Sequence, residues 1–367
     1  MEGPPLRSEF DFSRAPFTVA WEVTRACALR CVHCRAMAQP RRHPDELTTA
    51  EGLDLVRQVA EGGARVLVLT GGDPFMRPDI EEFVRHGRSL GLRVALSPSA
   101  TARVTRARME RVAAAGVDTV HISLDGATAE VHDAFRGVRG SFVRTQEVLA
   151  LVRSLGIPLQ VGTTVCRRNA HELAAIGELV ARAGAQVWSV FFLVPTGRAQ
   201  VADLLSPAEH EAVLCWLADF AARAPFYVRT TAAPQFRRVV LQRGGGSMRG
   251  AAIRTGAAYA RRPSDPTAGA GVNDGKGFCF VDHLGNVCPS GFLQIAAGNI
   301  RAQPLAEIYR NAPLFRALRD PERLGGKCGR CEFRAVCGGS RARAYALTGD
   351  YLAADPTCTY EPEGSAL

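Results

Sequence analysis

Seven of the eleven cysteines fall into two sets whose spacing could do chemistry. The first set is Cys27, Cys31 and Cys34, a Cys-x3-Cys-x2-Cys run within Trp21–Ala36. Three thiolates on one loop can ligate three irons of a cubane cluster and leave the fourth iron open. A structural zinc site is closed by four protein ligands, and a ferredoxin cluster also takes four cysteines. A set that is one ligand short therefore points to a catalytic centre. The second set is Cys328, Cys331, Cys337 and Cys358, with gaps of two, five and twenty residues. Four cysteines saturate either a 4Fe–4S cluster or one zinc ion, and spacing alone does not choose between them.

The rest of the composition narrows the setting. Met1–Ser13 has no apolar signal core, so the expectation is a cytoplasmic protein whose cysteines are ligands rather than disulfides. No apolar run approaches the ~20 residues of a membrane-spanning helix. The net charge is +9, which favours anionic partners in general. The arginines are spread along the chain and form no long basic block, so nucleic acid is not expected, and a simple preference for Arg over Lys explains the surplus equally well.

Both sets need a scaffold. From Phe17 to about Val194, short apolar runs alternate with longer amphipathic stretches. Strands are predicted at Thr18–Val23, Arg65–Thr70, Arg93–Ser97, Thr119–Leu124, Leu159–Val165 and Val187–Val194. Helices are predicted at Thr49–Glu61, Pro78–Leu90, Arg103–Ala115, Ser141–Leu155 and Ala170–Ala183, with caps at Thr48 or Thr49 and at Asn169. Six β-α units imply a parallel α/β sheet with right-handed crossovers. Six strands curl into an open, partial (β/α)6 barrel, with the chemistry on loops at the C-terminal strand ends. We divide the chain into an N-terminal extension (1–16), a barrel core (17–200), a helix and linker (201–275) and a cysteine-rich C-terminal domain (276–367). A helix is expected at Ser206–Ala222 and a loop over Gly244–Lys276. The C-terminal domain is too small to bury much core and needs a metal staple.

The cysteine run and the motifs that follow it resemble the radical S-adenosylmethionine (SAM) superfamily. In that family the open iron chelates the amino and carboxylate groups of SAM. Thr70-Gly71-Gly72-Asp73-Pro74 is similar to its Gly-Gly-Glu-Pro motif, with Asp73 where Glu is commoner. Ser97-Pro98-Ser99 follows the third strand, and Ser123-Leu124-Asp125-Gly126 the fourth, with Arg136 beyond it. The resemblance implies that Gly71, Gly72, Asp73, Ser97, Ser123 and Arg136 hold SAM, Ser123 and Arg136 at its carboxylate. His33 is expected as a packing group. The implied chemistry is reductive cleavage of SAM to a 5′-deoxyadenosyl radical, which abstracts hydrogen from the substrate.

The C-terminal cysteines resemble those of SPASM or shortened "twitch" domains, which implies a second 4Fe–4S cluster on Cys328, Cys331, Cys337 and Cys358. The segment from Cys328 to Cys358 is especially similar to the radical SAM enzymes of heme d1 synthesis and of the alternative, siroheme-derived heme pathway. A full SPASM pattern carries cysteines where this chain has Ser290 and Arg341, so one auxiliary cluster is expected. Cys279, Cys288, Cys166 and Cys215 are read as incidental thiols. The resemblance implies an oxidoreductase or lyase acting on the acid side chains of a tetrapyrrole, with a flavodoxin- or ferredoxin-type reductant. Arg198, Arg237 and Arg238 are the candidate contacts for substrate carboxylates. The alternative is a maturase of a ribosomally made peptide.

Overall fold

Ten strands form one sheet in the order β10-β9-β8-β1-β2-β3-β4-β5-β6-β7, in a computed structural model that describes residues 10–244 and 271–363. The six expected strands are present as β1 (Thr18–Glu22), β2 (Val66–Thr70), β3 (Arg93–Leu96), β4 (Thr119–Ser123), β5 (Leu159–Val165) and β6 (Val187–Phe192), each parallel to the next. The crossover helices include α1 (Thr49–Glu61), α2 (Ile80–Ser89) and α3 (Arg106–Ala114). Thr48 starts α1 with a reciprocal capping box to Glu51, which satisfies two backbone donors that the first turn leaves open.

The structure adds elements that the alternation did not announce. A short helix, α4 (Ala129–Arg136), precedes α5 (Ser141–Ser154). The fifth predicted helix opens with a 3-10 turn and becomes α6 (Leu173–Arg182). The helix expected at Ser206–Ala222 is α7 (Pro207–Arg223), and after it the chain does not pass straight into a linker. It forms β7 (Tyr227–Thr231), parallel to β6, and α8 (Gln235–Gln242). At the other edge, β8 (Phe278–Val281) pairs in parallel with β1, and β9 (Asn286–Cys288) and β10 (Gly298–Asn299) follow antiparallel. The barrel sheet thus runs past both expected boundaries, at residues 200 and 275. Most of the loop expected over Gly244–Lys276 (residues 245–270) lies outside the described residues, as do 1–9 and 364–367. Among the described residues no helix is long and apolar enough to cross a membrane.

The two faces of the sheet have different chemistry. Val120, Ile122, Val161, Trp188, Val190 and Val228 turn outward into the main apolar core beneath the helices. Side chains in a strand alternate between faces, so the intervening residues turn inward. Parallel register places His121 beside Gln160, and puts Ser123, Gly162, Ser189 and Arg229 in one row across β4 to β7. The lumen is consequently polar on this side.

Candidate functional site

The loop after β1 carries Cys27, Cys31 and Cys34 and is clamped from several directions at the C-terminal rim of the sheet. Its two ends are tied together by Cys27 N–H donating to the Gln39 carbonyl at 2.8 Å and Gln39 N–H to the Arg25 carbonyl at 2.9 Å. The loop after β2 locks onto it through Gly72 N–H to Thr24 O and Asp73 N–H to Ala26 O, both 2.8 Å. This contact is what requires the glycines. A Cβ on Gly71 would stand 2.3 Å from Thr24 O, and one on Gly72 would stand 2.5 Å from Ala26 O. Gly71 and Gly72, expected at SAM, are thus approached closely by the backbone of the cysteine loop. From the far side, Arg198 N–H bonds Cys34 O at 3.1 Å, and its Nε donates to Cys31 O at 2.9 Å.

The thiols have the surroundings of a cluster site. All three are free. Leu29 N–H points at Cys27 Sγ and Ala38 N–H at Cys34 Sγ, each 3.4 Å away. Ser99 Oγ lies 3.5 Å from Cys27 Sγ, and Arg136 Nη1 lies 3.7 Å from Cys31 Sγ. Burial pushes the thiols of Cys27 and Cys31 up, while the charge of Arg136 pulls Cys31 back down. Three sulfurs with N–H donors and one cation nearby fit a cluster bound by three cysteines.

The predicted SAM contacts gather at this rim, with two changes of role. Asp73 is fully buried and does not present its carboxylate to the lumen. It accepts from Thr101 Oγ1 at 2.9 Å, Phe75 N at 3.1 Å and Ser99 N at 3.4 Å, and so holds the Ser97–Ser99 loop against the cysteine loop. Arg136, at the end of α4, forms a 2.5 Å ion pair with the buried Asp125. Ser97 and Ser123 end their strands half-buried at the same rim. His33 packs against Phe135 with ring centroids 4.4 Å apart and the planes tilted by 42°. Burial, then the charges of Arg136 and Arg198, hold its imidazole well below the ordinary range and keep it neutral.

Several supporting residues were not foreseen. Thr24 Oγ1 donates to the buried Glu46 at 2.6 Å and accepts from Ala26 N–H at 3.0 Å, which fixes the entry to the loop. Glu22, at the end of β1, gathers Arg25, Arg35 and His283 at 2.9, 2.7 and 3.0 Å. Asn169 does not cap its helix by a side-chain bond. Its amide instead donates to Asp125 O and Thr164 O, both at 2.9 Å, steadying the Asp125 loop.

The four C-terminal cysteines line one pocket together with Gln235, Arg238 and Tyr360. Burial pushes Cys337 up to about 12. Arg341, standing where a full SPASM pattern has a cysteine, is itself buried and points Nη2 at Cys328 Sγ, 3.8 Å away. Ser290 Oγ accepts from Phe292 N–H and Leu293 N–H and closes a turn. Cys279 and Cys288 lie in apolar packing, and burial pushes Cys288 up to about 12. The three arginines expected at substrate carboxylates are all bonded within the protein: Arg198 holds the cysteine loop, and Arg237 and Arg238 lie beside the C-terminal set. Arg237 donates to Val336 O at 2.9 Å and Val272 O at 2.7 Å. Arg238 pairs with Glu211 at 2.5 Å and lies over the Tyr360 ring. Both brace the cysteine-rich segment.

This architecture matches known proteins along nearly its whole length. Residues 21–180 match the model of the radical SAM superfamily. The AdoMet-dependent heme synthase of Methanosarcina barkeri is 43% identical over 350 residues, which cover 95% of this chain and 98% of that one. The AdoMet-dependent heme synthase of Nitratidesulfovibrio vulgaris is 41% identical, covering 94% and 92%. In fold, Streptococcus suis SuiB bound to S-adenosylmethionine superposes with a TM-score of 0.73 at 15% identity, covering 95% of this chain and 78% of SuiB.

Proposed function

Because the chain belongs to the radical SAM superfamily, we propose that it removes or oxidises the acid side chains of a tetrapyrrole in heme-type biosynthesis. The observation that carries this reading is end-to-end similarity above 40% identity to two heme synthases. A polar lumen beneath a three-cysteine loop supports it.

In this reading Cys27, Cys31 and Cys34 hold a 4Fe–4S cluster, and Gly71, Gly72, Ser97, Ser123 and Arg136 surround SAM. The chemistry supplied there, once cluster and SAM are bound, is one-electron cleavage of the sulfonium to a 5′-deoxyadenosyl radical that takes hydrogen from an unactivated carbon. The chain's own residues do the positioning. The Gly72 and Arg198 contacts fix the cysteine loop in place, and Asp73 fixes the Ser99 loop over Cys27. Arg136 keeps positive charge beside Cys31, where a ligand carboxylate can meet it. Cys328, Cys331, Cys337 and Cys358 hold a second cluster. A flavodoxin- or ferredoxin-type donor and a cytoplasmic location complete the reading.

The test is turnover by anaerobically reconstituted protein with SAM, dithionite and iron coproporphyrin III, followed by mass spectrometry. The expected product has lost carbon dioxide and two hydrogens from a propionate. No change in any carboxylated tetrapyrrole, together with modification of a precursor peptide, would establish the maturase reading instead.

A further inference from the structure

Most buried or half-buried arginines in this protein are matched to an acid or to backbone carbonyls. Arg77 has Asp79, Arg136 has Asp125, Arg238 has Glu211 and Arg343 has Asp355. Arg229 differs. It stands half-buried on the lumen side of β7, and its hydrogen-bond partner is a neutral hydroxyl: Nε donates to Ser189 Oγ at 2.5 Å. Among the described residues no carboxylate lies within ion-pair distance of it.

Its neighbours are arranged to hold it without neutralising it. Gln160 Nε2 donates to the same Ser189 Oγ at 2.9 Å, so that oxygen is fixed from two sides. Register then sets His121 on β4 next to Gln160. The His121 Nε2 atom is buried and has no hydrogen-bond partner. Burial and the charges of Arg229 and Arg136 hold the imidazole down to about 3, so it stays neutral. The imidazole packs directly against Gly162, where a Cβ would lie 2.1 Å from Nε2. Beyond stand two aromatic rings. Phe191 is 6.0 Å from His121, and Phe292 is 6.4 Å from Phe191.

A half-buried cation without a counter-charge is costly. A guanidinium with Nε committed still has both Nη groups for a carboxylate. Aromatic rings suit a flat apolar body carrying that carboxylate. We propose that Arg229, held by Ser189, whose hydroxyl Gln160 fixes in turn, is a carboxylate-binding subsite in the barrel lumen that takes a propionate-type side chain of the substrate. The proposal rests on the tetrapyrrole reading above and replaces Arg237 and Arg238 as the anchor.

The experiment measures binding of iron coproporphyrin III and of its tetramethyl ester to cluster-loaded parent, Arg229→Gln and Arg229→Lys proteins, by the shift of the porphyrin absorbance. SAM affinity is measured on the same samples. Iron content and circular dichroism report whether each variant is folded, and Ser189→Ala, which removes the supporting hydroxyl, serves if Arg229→Gln is not. The expected result is that the parent prefers the acid over the ester. Arg229→Gln should weaken binding of the acid about tenfold to a hundredfold and lose that preference, with partial recovery in Arg229→Lys. Equal binding of the acid by parent and folded variants would overturn the subsite while leaving the tetrapyrrole reading standing. Loss of SAM affinity with tetrapyrrole binding unchanged would also overturn it. A parent that binds no carboxylated tetrapyrrole would remove the underlying reading, and the subsite with it.

Discussion

Asp355 and Arg343 meet at 3.1 Å with both side chains sealed from solvent. Asp355 also accepts from Gln235 Nε2 at 2.7 Å and Ser340 N–H at 2.9 Å, and its own N–H points at Cys328 Sγ, 3.5 Å away. One carboxylate therefore ties α8 of the barrel to the cysteine-rich segment. The charge of Arg343 and these bonds hold it well below the usual carboxylate range, against its burial. Asp355→Asn should cost about 3–5 kcal/mol, because a buried guanidinium is left unpaired. Denaturant unfolding measures this, and an unchanged midpoint would show that the pair contributes nothing.

Glu22 makes acid stability predictable. Its carboxyl is lowered from the ordinary 4.5 to about 2; burial raises it, but Arg35, His283 and Arg25 outweigh burial. A depressed folded value means the stabilisation is fully present above pH 4.5 and is lost as pH falls through 2. The difference corresponds to about 3 kcal/mol. Glu22→Gln should lower stability at neutral pH and flatten the profile between these limits. Parallel curves for parent and variant would contradict the assignment.

Arg136 has two separable roles. Arg136→Ala should destabilise the fold by about 3–5 kcal/mol, since Asp125 is left buried and alone. It should also weaken SAM binding by about 1.5–3 kcal/mol. Adding Asp125→Asn should restore most of the stability and none of the affinity. If the double variant recovers SAM binding, Arg136 acts only by supporting the fold.

Reconstituted protein should hold about eight irons, from two separate ligand sets. Replacing Cys27, Cys31 and Cys34 together with alanine should leave about four. Zinc in place of iron at the C-terminal set of anaerobically purified protein would reassign that site.

Gly72→Ala puts a Cβ where Ala26 O now stands, at 2.5 Å. The cysteine loop must move to admit it, so the variant should lose iron from the first site faster than the parent under chelator challenge. Iron retention equal to the parent would show that the loop can give way.

The elements most legible in the sequence were those with a local signature. β5 and α1 fall where alternation and the Thr48 cap put them. β7 was missed because it lies beyond Val194, where the alternation of strand and helix patterns was read as ending, and β8 because it becomes a strand by pairing with β1, far back in the chain. α4 was missed because eight residues carry too little periodicity. The two cysteine sets stood out by spacing, and their reading as cluster ligands came from the resemblance to the family. Arg229 and His121 were not, because a single polar residue in a strand shows its meaning only when register sets it beside Ser189 and Gln160.

The pairing of β1 with β8 has a consequence for how the protein is made. Thr18 finds its partner at Phe278, 260 residues later. At about 5–20 residues per second, synthesis of that interval takes on the order of 13–50 s. Throughout that time one edge of β1, next to the cysteine loop, has no neighbour. An unpaired parallel edge is a template for wrong partners, and contacts this distant in sequence form slowly. The nascent chain thus carries its cysteine loop on an open flank until the last third is translated, and conditions that slow elongation should raise the fraction lost to aggregation.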